Sequence, residues 1–252
     1  MNKQPIKIAL CLSGEPRYSM FCLPYIYESF INLGSDYSVD VFCHFREPFR
    51  ALSQYFPKST KYDPFSISKI SASLDTLEIS DKLKSKKDFY EAYTTQTNII
   101  FNPILMFEGI FESFNMAKNY NSYDIYIRSR YDFITPSKIY IDPIIKKILK
   151  KEYDLFISEK LENKDKRINQ NIEYNDQFAI GNFKGMERYS NLFVHLPEIL
   201  KNCSDWRAEK WLYTHLNNSN VKIHQHYLNL NLIRKISIAT DNIFPNPTYI
   251  IN

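Results

Sequence analysis

Two arginines and an aspartate stand at alternate positions, Arg128, Arg130 and Asp132, directly after the apolar run Tyr123-Asp-Ile-Tyr-Ile. Guanidinium groups donate forked hydrogen bonds to phosphate oxygens, and a carboxylate supplies a ligand for a divalent ion. The trio therefore suits a phosphorylated ligand. The same residues also fit a surface ion-pair cluster capping a strand, and spacing alone leaves both readings open.

Three more stretches have the residue types for chemistry. Ser13-Gly14-Glu15-Pro16-Arg17 offers a flexible glycine, backbone donors and a cation, as a diphosphate requires, or else an ordinary strand-to-helix turn. Asp176 and Gln177 precede the short apolar run Phe178-Ala-Ile and Gly181. An acid entering an apolar strand in this way is desolvated at a pocket, where its pKa rises toward that of a general base, or else it caps a turn through local amides. His224 and His226, two apart, lie on one side of a strand, where paired histidines either bind a metal or line a polar face.

The elements that must hold these residues follow from hydrophobic periodicity. Strands are expected at Ile6–Leu12, Val39–Phe45, Asp124–Ile127, Ile139–Asp142, Asp154–Ser158 and Val221–His226, with a weaker one near Lys69–Ser73. Helices are expected over 20–33, stopped at Gly34, and over 98–118, 143–151, 184–200 and 206–216, the last carrying Glu209 early. The first strand, helix and strand make a βαβ unit. The stripe Ile104, Met106, Phe107, Ile110, Phe111 and Phe114 reads as core. Residues 46–95 and 159–172 read as polar loops. In an open α/β sheet, ligands collect beyond the carboxyl ends of the strands, and Ser13–Arg17 and Arg128–Asp132 both fall there.

Composition narrows the function classes. The chain has 252 residues, 44% of them hydrophobic and 15% aromatic, enough for one folded domain. A formal charge of +4 with lysines interleaved among acids gives no nucleic-acid footprint. Lys146, Lys147, Lys150 and Lys151 on one helix fit either a solvated face or peripheral contact with an anionic membrane. The cysteines, Cys11, Cys22, Cys43 and Cys203, lack metal-type spacing and read as reduced thiols. With neither an apolar leader nor a membrane-length run, a cytoplasmic location is expected. Only five glycines occur, and neither a Walker loop nor a GxGxxG turn can be written from them.

Ile8-Ala-Leu-Cys-Leu-Ser-Gly-Glu-Pro-Arg17, the central Tyr123–Phe133 run, Asn175-Asp-Gln-Phe-Ala-Ile-Gly181 followed by Met186 and Tyr189, and Ala208-Glu-Lys-Trp-Leu212 together resemble a group of GT-A-type glycosyltransferase-like proteins of bacterial surface-polysaccharide loci and large DNA viruses. The resemblance spans roughly 8–235. It implies an α/β, GT-A-like (Rossmann-like) mixed central sheet flanked by helices, one domain over 1–252. A nucleotide-sugar-binding half would cover about 1–135 and an acceptor-binding half about 136–252. The implied activity is transfer of a sugar from a nucleotide-sugar donor to a glycan or other hydroxyl acceptor, in polysaccharide biosynthesis. Ser13, Gly14, Arg17, Arg128, Arg130 and Asp132 would hold the donor. Asp132 stands at the last acidic position of the family's Asp-x-Asp motif and, with His224, would hold Mn²⁺ or Mg²⁺. Arg130 replaces the earlier acid, so metal dependence stays open and the arginines are the alternative neutralisers of the diphosphate. Asp176 is the first candidate base and Glu209 the second. The competing expectations are an inactive nucleotide-sugar-binding protein and a basic nucleic-acid-binding module.

Overall fold

The computed structural model describes residues 4–14, 19–45, 67–72, 101–134, 139–159, 174–202, 207–228 and 231–232. The chain runs β1 (Ile6–Gly14), α1 (Ser19–Ile26) with a π-helical turn over Tyr27–Ile31, β2 (Tyr37–Phe45), β3 (Ile67–Ala72), α2 (Phe101–Tyr120), β4 (Ile125–Ser129) and β5 (Phe133–Ile134). It continues through α3 (Asp142–Leu149), β6 (Leu155–Glu159), β7 (Ala179–Gly181), α4 (Phe183–Ser190), α5 (Leu192–Asn202), α6 (Ala208–Asn217), β8 (Ile223–Tyr227) and β9 (Asn231–Leu232).

Seven strands form one mixed sheet in the order β3-β2-β1-β4-β7-β6-β8, while β5 and β9 pair separately. Every neighbouring pair is parallel except those made by β7, which runs against both β4 and β6. The expected mixed sheet with flanking helices is therefore the observed architecture, and the β4–β7 pairing carries it across residue 135.

Both faces of this sheet are covered, which explains the nearly continuous apolar run of β1. Successive residues of a strand point to opposite faces. Ala9, Cys11, Phe42, Tyr126 and Ala179 pack beneath α2, α4 and α6, against Phe107, Phe114, Tyr189 and Trp211. Ile8, Leu10, Val41, Ile127 and Ile180 pack on the other face, with Cys22 and Ile26 of α1 and Ile145 and Ile148 of α3. Ile104, Phe107, Ile110 and Phe114 are buried, as the stripe on α2 predicts.

The structure corrects the sequence reading at several elements. Residues 139–141 are not a strand. Asp142 opens α3 with Pro143 in its first turn, the Tyr37 hydroxyl donates to the Asp142 carboxylate, and Lys146 pairs with it at 2.7 Å. The expected helix over 184–200 is two helices meeting at Asn191. The helix over 20–33 holds Pro24 and ends in the π turn, closed by Asn32 N donating to Tyr27 O at 2.8 Å. Cys11, Cys22 and Cys43 are buried free thiols. Among the described residues, no helix is long and apolar enough to cross a membrane.

Between β1 and β4 the strand order reverses. The chain steps from β1 outward to β2 and β3, then returns through α2 to β4 on the other side of β1. The crevice at the carboxyl ends of these two strands is the topological switch point at which α/β sheets take their ligands.

Candidate functional site

β4 delivers Arg128 to the switch point. Its register opposite Cys11 of β1 and Ala179 of β7 puts it in the sheet's interior, facing the α2 side. Arg128 is 0% exposed, yet its Nε, Nη1 and Nη2 find no hydrogen-bond partner among the described residues. Burial lowers its pKa, while Tyr189, Asp176 and Asp132 act in the opposite direction and Arg130 adds to the lowering. A guanidinium is not deprotonated in a protein. The site therefore contains a desolvated cation whose donors are unsatisfied, an arrangement that costs free energy until an anion meets it.

Beyond the strand, the chain turns at Tyr131 and Asp132. Arg130 Nε and Nη2 donate to Asp132 Oδ1 and Oδ2, both at 2.7 Å, and the Asp132 side chain is 4% exposed. Burial works against the Arg130 charge, but this fork and the Asp132 charge outweigh it and leave its pKa raised. Between them Tyr131 is fully buried, its hydroxyl reaching Leu12 O at 2.9 Å and His44 O at 3.1 Å. That hydroxyl ties the turn to the carboxyl ends of β1 and β2.

Asp176 arrives from the loop before β7. The turn-forming role falls to its neighbour, since the Asn175 side chain accepts from Gln177 N at 3.0 Å. Tyr189 of α4 donates to the Asp176 carbonyl at 2.9 Å. Asp176 is buried, and desolvation, then the Glu209 charge, push its carboxyl up to about 6 against the pull of Arg128 and Arg130. Glu209 lies in the first turn of α6. Arg128, Arg130, Asp132, Asp176 and Glu209, read separately from distant parts of the sequence, are thus near enough for their charges to act on one another.

Ser13, the residue before the end of β1, lies on the same face as Arg128, fully buried and with its Oγ unpartnered among the described residues. Gly14 follows at φ +124, where side chains are strained, with open space around it. Arg17 lies outside the described residues. Above Ser13, Gly109 lets α2 approach closely, because a Cβ there would stand 3.4 Å from the Ser13 Cβ and 3.3 Å from His44 Cδ2. Sequence reasoning missed Glu108, 2% exposed on the buried face of α2, and gave Tyr131 and Tyr189, both within the quoted motifs, no positioning role. The signal for Glu108 was an acid at i+4 from Ile104 within an apolar stripe.

The donors among the described residues do not fit a divalent cation. Both Asp132 oxygens are taken by Arg130. Among the described residues, no group of three or more His, Cys, Asp or Glu side chains could hold a metal ion. His224, expected beside Asp132, is stacked on Tyr153 at 4.9 Å on β8, separated from β4 by β7 and β6. Asp132 is the carboxylate at the end of β4, and with both oxygens engaged by Arg130 it is a poor ligand for a hard cation.

The fold and site together define an α/β protein with a buried cluster of cationic and acidic side chains at its switch point. No protein-family model matches the chain, and no curated protein does. Among solved structures it is similar to mouse xyloside xylosyltransferase 1 in its apo form, with a TM-score of 0.47 and 12% identity over 89% of this chain and 84% of that one. That likeness says nothing about substrate or reaction.

Proposed function

We propose that this protein is a glycosyltransferase that moves a sugar from a nucleotide-sugar donor to a hydroxyl on a glycan or similar acceptor, in glycan biosynthesis. The observation that carries the reading is the juxtaposition, at the switch point, of the unpartnered Arg128 guanidinium with the proton-binding carboxyl of Asp176. The sequence resemblance supplies the reaction class. The acceptor oxygen attacks the anomeric carbon as the sugar–phosphate bond breaks. The acceptor proton passes to Asp176, and the leaving nucleoside diphosphate takes the bonding electrons. Fixed cations lower the barrier by meeting that developing charge, a role for Arg128 and Arg130. Ser13 and Gly14 line the same strand ends. Burial, with repulsion from Glu209 added, keeps the Asp176 carboxyl able to take up a proton.

Incubating the protein with UDP-, GDP- and CMP-sugars and measuring nucleotide release, with and without candidate glycan acceptors, tests this. Release from one donor class that falls by 10²–10⁴ in Asp176→Asn supports a transferase with Asp176 as base. Donor binding without turnover, indifferent to Asp176→Asn, means an inactive nucleotide-sugar-binding protein. Failure to bind any nucleotide overturns the donor site altogether.

A further inference from the structure

A transferase of the expected kind places an acid of β4's carboxyl end on a divalent ion bridging the diphosphate, and in this chain that acid is otherwise engaged. The Arg130–Asp132 fork uses one Nε–H and one N–H of Nη2. Of the five N–H donors of a guanidinium, three remain, and they lie on the side turned away from Asp132. The Arg130 side chain is 22% exposed, so a ligand entering the crevice can reach those donors without breaking the fork. Behind Arg130, Arg128 offers Nε, Nη1 and Nη2, all unpartnered. Ser13 Oγ, also unpartnered and buried, adds an uncharged donor from the end of the adjacent strand on the same face.

We propose that the site binds the donor's diphosphate without a divalent cation, with Arg130 and Arg128 in the metal's place and Asp132 acting as the positioning partner of Arg130. The inference rests on the nucleotide-sugar reading and specifies how that donor is held. Two charges on two guanidinium groups match the charge a divalent ion would bring. Their planar forks suit bidentate contact with phosphate oxygens, and they need no coordination shell of protein oxygens. Asp132 orients one fork and disperses its charge when no ligand is bound. Asp132 thus keeps the position of a metal-binding acid and serves an arginine.

Titration calorimetry of the full chain with UDP, GDP, CDP, ADP and inorganic pyrophosphate, in excess EDTA and again in Mn²⁺, tests this. At least one of these probes is expected to bind in EDTA with an affinity within about threefold of that in Mn²⁺. Arg130→Ala should then weaken binding about 10- to 150-fold, the range of a charged hydrogen-bonding partner, and Arg130→Lys should restore part of it. Asp132→Asn should weaken binding less than Arg130→Ala and leave it insensitive to Mn²⁺. Thermal unfolding of each variant without ligand separates lost binding from lost folding, and the EDTA comparison on the unmodified chain needs no variant. Binding that appears only with Mn²⁺ overturns the inference and leaves the transferase reading standing. Binding of no probe under either condition overturns both.

Discussion

Burial and Glu209 raise the Asp176 carboxyl from 3.8 to about 6, so this residue lowers stability at neutral pH. Between those values the native protein binds the proton that the unfolded chain releases. Stability therefore falls as pH rises across the window, by about 3 kcal/mol in all, and stays reduced above it. Asp176→Asn should accordingly raise the unfolding midpoint at pH 8 by several degrees, about 2–4 °C per kcal/mol at this size, and give no such gain at pH 3.5. If the proposed transfer holds, the same variant should lose it, and the unmodified protein's kcat/KM should rise with pH to a plateau above an apparent pKa near 6. A variant equally destabilised at both pH values would show that Asp176 is a turn residue. The residue types of this site were legible because arginines and acids stood where apolar runs ended. The fork between Arg130 and Asp132 was not, because two residues apart on a strand share a face without facing each other, and only the turn at Tyr131 brings them together. Tyr189 was quoted in the resemblance without a role, since its hydroxyl bond is to a carbonyl thirteen residues away.

At the scale of elements, the strands were legible and the helix ends were not. A sheet covered on both faces favours apolar residues at successive positions, so the inner stretches Ile8–Leu12 of β1, Val41–Cys43 of β2 and Ile125–Ile127 of β4 stand out as apolar runs. Helices divide or begin through single polar contacts that periodicity does not register, as at Asn191 and Asp142. The end of α3 shows such a contact and carries a prediction. Lys151 N donates to Ile148 O at 2.9 Å and Glu152 N to Lys147 O at 3.1 Å, the paired bonds of a Schellman cap. The residue in the left-handed position is Lys151, at φ 61, where glycine is usual. A side chain there costs about 1–2 kcal/mol, partly offset by the greater freedom of glycine in the unfolded chain. Lys151→Gly should therefore stabilise by about 0.5–1 kcal/mol in denaturant titration without altering nucleotide binding. A loss of stability would mean that the Lys151 side chain makes a compensating contact. The opposite sign holds at Gly185 in α4, where a Cβ would stand 2.3 Å from Asp154 O. Because that oxygen belongs to the backbone just before β6, Gly185→Ala should destabilise by about 3 kcal/mol or more, read as a lower midpoint at unchanged m.

Across the described residues, two buried groups act on stability in opposite directions as pH falls. His215 of α6 donates through Nε2 to Arg188 O at 2.8 Å, and Arg188 Nη2 donates back to His215 O at 2.6 Å, joining α6 to α4. Burial, then the Arg188 charge, lower the His215 pKa from 6.5 to about 3. Below pH 6.5 the unfolded chain takes up a proton that the native protein refuses. The stability present above 6.5 is thus lost progressively as pH falls toward 3, by about 2–3 kcal/mol between pH 7 and 4.5. Asp176 works the other way over the same interval, because its protonation in the native state returns about 2 kcal/mol. Together the two nearly cancel, each acting independently on the same pH interval. Urea unfolding of the unmodified protein and of Asp176→Asn at pH 7 and pH 4.5 checks this balance. The variant should lose about 2 kcal/mol more than the parent on going to pH 4.5, since only the parent retains the offsetting carboxyl. Parallel losses would show that Asp176 titrates as an ordinary aspartate, and would remove the raised pKa from the mechanism.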